Sequence, residues 1–288
     1  MLRYIMRFRV SSDLHYDLNG PATFFFALKC IETGGQHLVS ESLITEPETS
    51  VEEFTLGTGM NRFTRIRTEQ NGPFRVKYSA EVETQVKVIS TESLKVDGPG
   101  KLAPEAIPFL FPSRYCQSDR LRQEAMDLFG HLTNPHDLAA GIRDWIYDHI
   151  AYRAGTSNEQ SSAVDTWEQR QGVCRDFAHL GIAFCRAMNV PARYVSCYSY
   201  QLDPPDFHAC YEVFIDGWWY IFDATRLAPL NGLVRIATGR DAADAAVCSI
   251  FGNPQMKQIS VSCECLDEGF MPITGRDLAN ENQAMALL

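Results

Sequence analysis

The sequence predicts an α+β protein in which an N-terminal β-sandwich-like domain precedes a core of helices packed on an antiparallel sheet. Three observations support this fold class. Short alternating segments fill residues 3–97, apolar residues recur at helical spacing between residues 119 and 188, and two apolar runs are joined by an Asp-Gly turn. We place the domains at 1–97 and 118–288, with a linker at 98–117.

The N-terminal domain is expected to consist of strands. Residues 22–31 form a continuous apolar run, residues 63–68 alternate between apolar and polar side chains, and residues 74–82 alternate again after a turn at Gly72-Pro73. We find no catalytic group of residues in this domain. The Pro and Gly residues of the linker that follows disfavour regular structure.

The core domain begins with three predicted helices. Ser118 can cap a helix over residues 119–129, which Gly130 ends. Asn134-Pro135 starts a second helix, and the capping-box pattern of 162–165 starts a short third one. A strand extension at 258–265 is expected near the C-terminus.

Cys174 is the first candidate for chemistry. It opens a run in which Phe177 and Leu180 continue the spacing of one helix face, so its sulfur is expected in the first helical turn. The unpaired N–H groups and the positive end of the helix dipole favour a thiolate there. Cysteine is often simply buried, however, and the chain has nine of them. The residues expected around Cys174 distinguish it from the others.

A predicted hairpin brings two further candidates together. Residues 208–215 and 218–223 flank Asp216-Gly217, a strong signal for a two-residue turn. In the resulting register, Asp223 is the diagonal neighbour of His208 on one face of the sheet. Diagonal neighbours lie about 7–8 Å apart at the backbone, so a hydrogen bond between the two side chains is expected.

Cys174, His208 and Asp223 supply the parts of an activated nucleophile: a thiol, an imidazole base, and a carboxylate that orients the base. His179 is the rival base. It lies five residues beyond Cys174 on the predicted helix, well off the face of the thiol, and we interpret it as a packed or solvated histidine. Asp176 points to nearly the opposite face and is expected to anchor the helix.

These residues resemble the core of the transglutaminase-like superfamily, most strongly its bacterial branch of cysteine proteases. The segments that carry the resemblance are Gly172-Val173-Cys174-Arg175-Asp176-Phe177-Ala178-His179-Leu180, Pro191-Ala192-Arg193-Tyr194-Val195, His208-Ala209, Gly217-Trp218-Trp219 and Asp223-Ala224-Thr225. The resemblance covers residues 151–247 in detail. It implies a papain-like core, with Cys174 as nucleophile, His208 as base and Asp223 as orienting acid, and an N-terminal β-domain.

The chain departs from the family pattern at two positions. The family usually has Trp after His-Ala, where this chain has Cys210, and Pro before Thr, where it has Ala224. Neither change removes a side chain of the expected triad. Cys210 does change the wall beside the base, so it bears on substrate preference.

Composition limits the expected partners and location. The formal net charge is −10, and nucleic acids and anionic membranes require basic surfaces, so neither is expected as the main partner. Nine scattered cysteines and a charged segment 1–10 without an apolar core favour a cytoplasmic protein. No cofactor or metal is expected. Cys263 and Cys265 lack a second ligand pair at zinc-finger spacing, and we interpret them as buried strand residues.

The sequence leaves more than one function class open. The first is an enzyme that attacks a peptide or protein amide through a thioester acyl-enzyme, with hydrolysis slightly favoured over transamidation because no calcium loop or amine pocket is evident. The second is a catalytically silent binding or scaffold module. A third, acyl transfer from a thioester donor as in arylamine N-acetyltransferases, is weakened by the lack of a basic coenzyme cradle. For the oxyanion we expect the Cys174 N–H as one donor, and Trp167, Gln169 or Gln171 as the other.

Overall fold

The computed structural model describes residues 2–56, 60–95 and 99–288. Within these residues the strands, numbered β1 to β15 in chain order, are Leu2–Asn19, Ala22–Phe26, Gln36–Glu46, Val51–Leu56, Asn61–Thr68, Asn71–Ser90, Ala151–Tyr152, Gln171–Gly172, Ala192–Ser199, His208–Ile215, Trp218–Phe222, Leu233–Gly239, Cys248–Phe251, Gln255–Cys265 and Gln283–Leu287.

The described helices, α1 to α6, are Arg122–Phe129, Pro135–His149, Ala163–Gln169, Cys174–Ala187, Ala242–Ala245 and Gly275–Asn280. Short 3-10 turns lie at Thr91–Ser93, Pro99–Lys101, Pro104–Leu110 and Leu230–Gly232. None of the helices in the described part of the chain combines the length and apolar character needed to cross a membrane.

Of the three helix starts predicted ahead of Cys174, two are confirmed. The Asn134 side chain accepts the His136 N–H at 2.8 Å at the start of α2. At the start of α3, the Ser162 N–H donates to the Asp165 carboxylate at 2.9 Å. The expected cap by Ser118 is wrong. Helix α1 begins only at Arg122 and has no side-chain cap, because the residues before it form turns instead.

The N-terminal strands form two antiparallel sheets. One has the order β14-β1-β6-β15, with β3 also paired to β6, and the other has the order β13-β2-β5-β4. Aromatic rings join the two sheets, with ring centroids 5.0 Å apart for Tyr16 and Phe24 and 5.6 Å apart for Phe24 and Phe74. This arrangement confirms the predicted β-sandwich-like part of an α+β fold.

The alternation of apolar and polar residues predicts strands correctly where one face of the strand is buried. In β6, Val76, Tyr78 and Val82 are buried and alternate with more exposed residues, as predicted. Strands β3 and β4 were not predicted. Each lies at a sheet edge and pairs with a single neighbour, so most of its side chains face solvent and the apolar alternation is lost.

The core sheet has the order β11-β10-β9-β12, and helix α4 packs against it. A Cβ atom at Gly181 of α4 would lie 2.6 Å from the ring of Tyr211 in β10, so glycine allows the close approach of helix and strand. On its other side, α4 packs against α1, α2 and α3 through Phe184, whose ring centroid lies 5.4 Å from that of Phe129 in α1. The predicted layer of helices on an antiparallel sheet is confirmed.

The C-terminal strands pair with the N-terminal sheets. Strand β13 pairs with β2, β14 pairs with β1, and β15 pairs with β6. The strand expected at 258–265 is therefore present within β14, and its partner lies at the other end of the chain. The domain limits 1–97, 98–117 and 118–288 stay a prediction.

Candidate active site

Cys174 is the first residue of α4, as predicted. Val173 before it is extended, with φ −113° and ψ −176°, so the chain turns into the helix directly at the cysteine. The Val173 N–H donates to the Asp176 carboxylate at 2.9 Å, which confirms that Asp176 anchors the first turn. Cys174 is half-buried, whereas Cys185 near the other end of the helix is buried completely.

Strands β10 and β11 form the predicted hairpin. Asp216 and Gly217 have φ values of +49° and +78°, the left-handed values that a two-residue type I′ turn requires. Ile215 lies opposite Trp218, which is the predicted register. The end of β11 is therefore aligned with the start of β10.

This register joins His208 to Asp223. The Nε2 atom of His208 lies 2.8 Å from Oδ2 of Asp223, and both side chains are almost completely buried. Thr225 donates its backbone N–H and its hydroxyl to Oδ1 of Asp223, each at 2.8 Å. Burial opposes the charge of this carboxylate, but His208 and the two Thr225 donors outweigh it and lower the pKa of Asp223. Asp223 is thus a fixed anion.

The His208 imidazole lies beside both this anion and the Cys174 thiol. Burial disfavours the imidazolium, but the charge and hydrogen bond of Asp223, with further contributions from Cys174, raise the pKa of His208 well above its ordinary value. Because Nε2 is bonded to Asp223, Nδ1 is the nitrogen left for the thiol. Among the described residues, the buried Nδ1 atom has no partner at full hydrogen-bond geometry. Hydrogen bonds between catalytic groups often tighten only when substrate binds. The structure brings the three predicted site residues together.

His179 lies outside this group. It is completely buried, its Nε2 atom accepts the Ala242 N–H at 3.1 Å, and its ring stacks on Tyr115 with a centroid distance of 5.1 Å. Burial lowers the pKa of His179 well below its ordinary value. It is therefore a neutral packing residue, in agreement with the interpretation from sequence as a packed histidine.

Tyr152 is a further candidate, one that the sequence does not indicate. Strands β7 and β8 pair in parallel, with Tyr152 opposite Gly172. The Tyr152 hydroxyl lies beside Cys174, near both its backbone N–H and its thiol. A two-residue strand has no periodicity to detect, so no sequence signal connects the two residues.

Trp167, Gln169 and Gln171, the side chains expected as the second oxyanion donor, lie in different parts of the structure. Trp167 stacks on Trp145 at a centroid distance of 5.4 Å, and the guanidinium of Arg170 lies 3.6 Å from the centre of the Trp167 ring. Trp167 thus takes part in the packing of α2, α3 and α4. Gln169 ends α3, and Gln171 begins β8. Their role as donors stays a prediction.

The described residues contain no group of three His, Cys, Asp or Glu side chains arranged to hold a metal ion. Cys263 and Cys265 lie in β14, opposite Val10 and Phe8 of β1. Burial raises the pKa of the Cys263 thiol well above its ordinary value, in keeping with a thiol packed in a sheet.

Comparison with known proteins identifies the family. The model of the transglutaminase-like superfamily matches residues 123–224, which include Cys174, His208 and Asp223, and the model of the bacterial transglutaminase N-terminal domain matches residues 6–98. A crystal structure described as that of "a Putative Cysteine Protease from Cytophaga hutchinsonii" is 47% identical to this chain, covers 100% of both chains and has a TM-score of 0.95. The chain belongs to the transglutaminase-like superfamily.

Curated relatives of this transglutaminase-like chain occur in mycobacteria. An uncharacterized protein of Mycobacterium leprae is 29% identical over 120 residues, which are 39% of this chain and 43% of that protein. An uncharacterized protein of Mycobacterium tuberculosis is 34% identical over 107 residues, 37% of this chain and 33% of that protein. The chain thus spans less than half the length of the curated relatives that it matches.

Cys210, the departure from the family pattern beside the base, lies in a buried part of this transglutaminase-like core. Cys197 of β9 is directly opposite His208, and its thiol lies 3.6 Å from the His208 carbonyl oxygen. Burial, followed by the neighbouring Cys197, raises the pKa of Cys210 well above its ordinary value. Two small buried thiols therefore lie beside the start of β10.

Proposed function

We propose that this chain is a cysteine-nucleophile amide hydrolase or acyltransferase that acts on peptide or protein amides through a thioester acyl-enzyme. The family and the relative from Cytophaga hutchinsonii support the coarser assignment to a transglutaminase-like or cysteine-protease-like function. The finer proposal depends on one observation. Half-buried Cys174 lies beside His208, whose Nε2 is held by Asp223 at 2.8 Å.

The proposed acylation uses the free nitrogen of the base. The proton of the Cys174 thiol passes to Nδ1 of His208, and Sγ forms a bond to the carbonyl carbon while the C=O π pair moves to oxygen. The intermediate then re-forms C=O and breaks the C–N bond, and His208 gives its proton to the leaving amine. A thioester on Cys174 remains. Asp223 exchanges no proton; it orients the imidazole and stabilises its charged form.

Deacylation decides between the two reaction types. In hydrolysis, water loses a proton to His208 and attacks the thioester carbon; in transamidation, a primary amine does so. Either attack expels the Cys174 sulfur and yields an acid or a new amide. The raised pKa of His208 supports its role as base in both steps, because the imidazolium that forms is stabilised by Asp223.

Alkylation tests the activated thiol. Four cysteines are not fully buried, namely Cys174, Cys248, Cys263 and Cys265. Cys265 is the internal control for accessibility, because its thiol makes an exposed contact with the Asp267 carbonyl, whereas burial raises the pKa of the Cys248 and Cys263 thiols. With iodoacetamide and peptide mapping, we expect Cys174 to react fastest. His208→Ala should slow this reaction alone, while His149→Ala, which alters an exposed histidine of α2, should leave it unchanged. Equal labelling of the four thiols would instead favour the catalytically silent module.

Trapping tests the acyl-enzyme itself. Incubation with a peptide mixture should add an acyl mass to the intact wild-type chain and none to Cys174→Ala. Hydroxylamine should remove the adduct as a hydroxamate, and an added primary amine should be incorporated into product only if the enzyme is a transferase. A reactive Cys174 that never acquires an acyl group from any amide or ester would contradict this function.

A further inference from the structure

Tyr152 lies where a carbonyl under attack by Cys174 needs hydrogen-bond donors. An oxyanion requires donors close to the nucleophile and directed at one point. The Cys174 N–H is at the start of α4, where the helix supplies no acceptor for it. Tyr152 is paired with Gly172, two residues before Cys174, and its hydroxyl lies beside this N–H. A substrate oxygen that takes up this N–H therefore also meets the tyrosine.

The backbone fixes Tyr152 relative to the nucleophile. The Ala151 N–H donates to the Arg170 carbonyl at 2.8 Å, and the Arg153 N–H donates to the Gly172 carbonyl at 2.9 Å. These bonds flank Tyr152 on both sides and fasten it to the segment that leads directly into Cys174. The position of the tyrosine is thus set by the same loop that sets the position of the sulfur.

The side chain is anchored at its ring and open at its hydroxyl end. Its ring centroid lies 5.6 Å from that of Phe177, in the first turn of α4. The residue is nevertheless 46% exposed, so a substrate can reach it. Burial of the remainder, together with the neighbouring Cys174, raises the pKa of Tyr152, so the hydroxyl keeps its proton at neutral pH and can donate it in a hydrogen bond.

We infer that Tyr152 is a catalytic residue whose hydroxyl, together with the Cys174 N–H, donates to the oxyanion formed on the attacked carbonyl. When Sγ bonds to the carbonyl carbon, the π pair moves to an oxygen that lies between these two donors. No proton leaves Tyr152, and the pair returns when C=O re-forms. This inference rests on the proposed function and names a donor that the sequence did not suggest.

The test compares two reactions of the same sulfur. Iodoacetamide is attacked at a saturated carbon and forms no oxyanion, whereas p-nitrophenyl acetate acylates Cys174 through one. In Tyr152→Phe, we expect acylation of Cys174, followed by peptide mass spectrometry, to slow by about 100- to 1000-fold, while alkylation stays within about twofold of wild type. Tyr147→Phe is the matched control, because it removes the hydroxyl of another exposed tyrosine, in α2.

The outcomes distinguish a failure of the inference about Tyr152 from a failure of the proposed function. A selective loss of acylation in Tyr152→Phe supports the inference. Equal slowing of both reactions would reduce Tyr152 to a residue that positions Cys174, and unchanged or faster acylation would remove it from the mechanism; either result overturns the inference and leaves the proposed function standing. A wild-type chain that forms no acetyl adduct on Cys174 and releases p-nitrophenol no faster than Cys174→Ala would overturn both. Thermal melting of the variant checks that its fold is intact.

Discussion

Two buried histidines, in two regions of the core, behave in opposite ways. His179 lies in the middle of α4 and His208 begins β10, and they are 0% and 2% exposed. Burial lowers the pKa of His179 well below its ordinary value, whereas the pKa of His208 is raised well above it. The difference is the partner: His179 receives a backbone N–H from Ala242, and His208 binds the Asp223 carboxylate. Burial alone gives a neutral packing residue, and an added carboxylate gives a base.

Replacing the carboxylate should make His208 resemble His179, and this is the largest effect we expect. In Asp223→Asn, the imidazolium loses its counter-charge and the ring loses the bond that selects its orientation, so acylation of Cys174 should slow by roughly 10,000-fold. The rate is measured as ester acylation followed by mass spectrometry. Asp127→Asn, an exposed residue of α1, is the control and should match wild type. A loss of less than about fivefold in Asp223→Asn would remove Asp223 from the mechanism.

A substitution of His179 tests its role as a packing residue. His179→Phe keeps a ring between Tyr115 and Tyr194 but leaves the buried Ala242 N–H without its acceptor, so it should lower the free energy of unfolding by about 1–3 kcal/mol. Urea denaturation measures this change. Exposed His149 provides the comparison, because His149→Phe should lower the free energy of unfolding by less than His179→Phe does.

Reactivity completes the test of His179. Alkylation of Cys174 in His179→Phe should stay close to wild type, because His179 does not contact the thiol side of His208. A loss as large as that of His208→Ala would mean that His179 takes part in the chemistry, and the contrast between the two histidines would fail.

The smallest effect is on the pH dependence of stability. Asp223 has a lowered pKa, so its contribution is present above the unfolded value of about 3.9 and is lost as pH falls through the folded pKa. His208 has a raised pKa, so its contribution is complete below about pH 6.5 and is lost as pH rises through the folded pKa. The pair should therefore stabilise the fold most between about pH 4 and 6.5.

Denaturation of wild type and Asp223→Asn across the pH range measures this contribution. The difference between their free energies of unfolding should be largest near the middle of that window and shrink toward alkaline pH. The same substitution in a His208→Gln background is the control, and the alkaline decrease should be absent there. A difference that grows as pH rises would contradict the assignment of a charged His208.

The parts of the site that sequence could predict are those fixed by local rules. Asp216-Gly217 permits only a narrow set of turns, and the turn sets the register that joins His208 to Asp223. The start of α4 at Cys174 is predicted in the same way, because Gly172 is followed by apolar residues at helical spacing. Both predictions depend on residues close together in sequence.

The features that sequence could not predict arise from contacts between distant segments. Tyr152 reaches Cys174 through a two-residue parallel bridge, which is too short to leave a pattern. The edge strands β3 and β4 expose most of their side chains, so they lack the alternation of a half-buried strand. The pairing of β14 with β1 joins residues about 250 positions apart, and no local propensity specifies such a partner.

The pairing of the C-terminal strands with the N-terminal sheet has a consequence for synthesis of the chain. Strand β1 lies between β6 and β14, and β6 in turn pairs with β15. A nascent polypeptide therefore holds its first sheet with open hydrogen-bonding edges until residues 255–287 have left the ribosome. Premature termination anywhere in the core would leave those edges unprotected, so truncated products of this gene should be prone to aggregate or to be degraded.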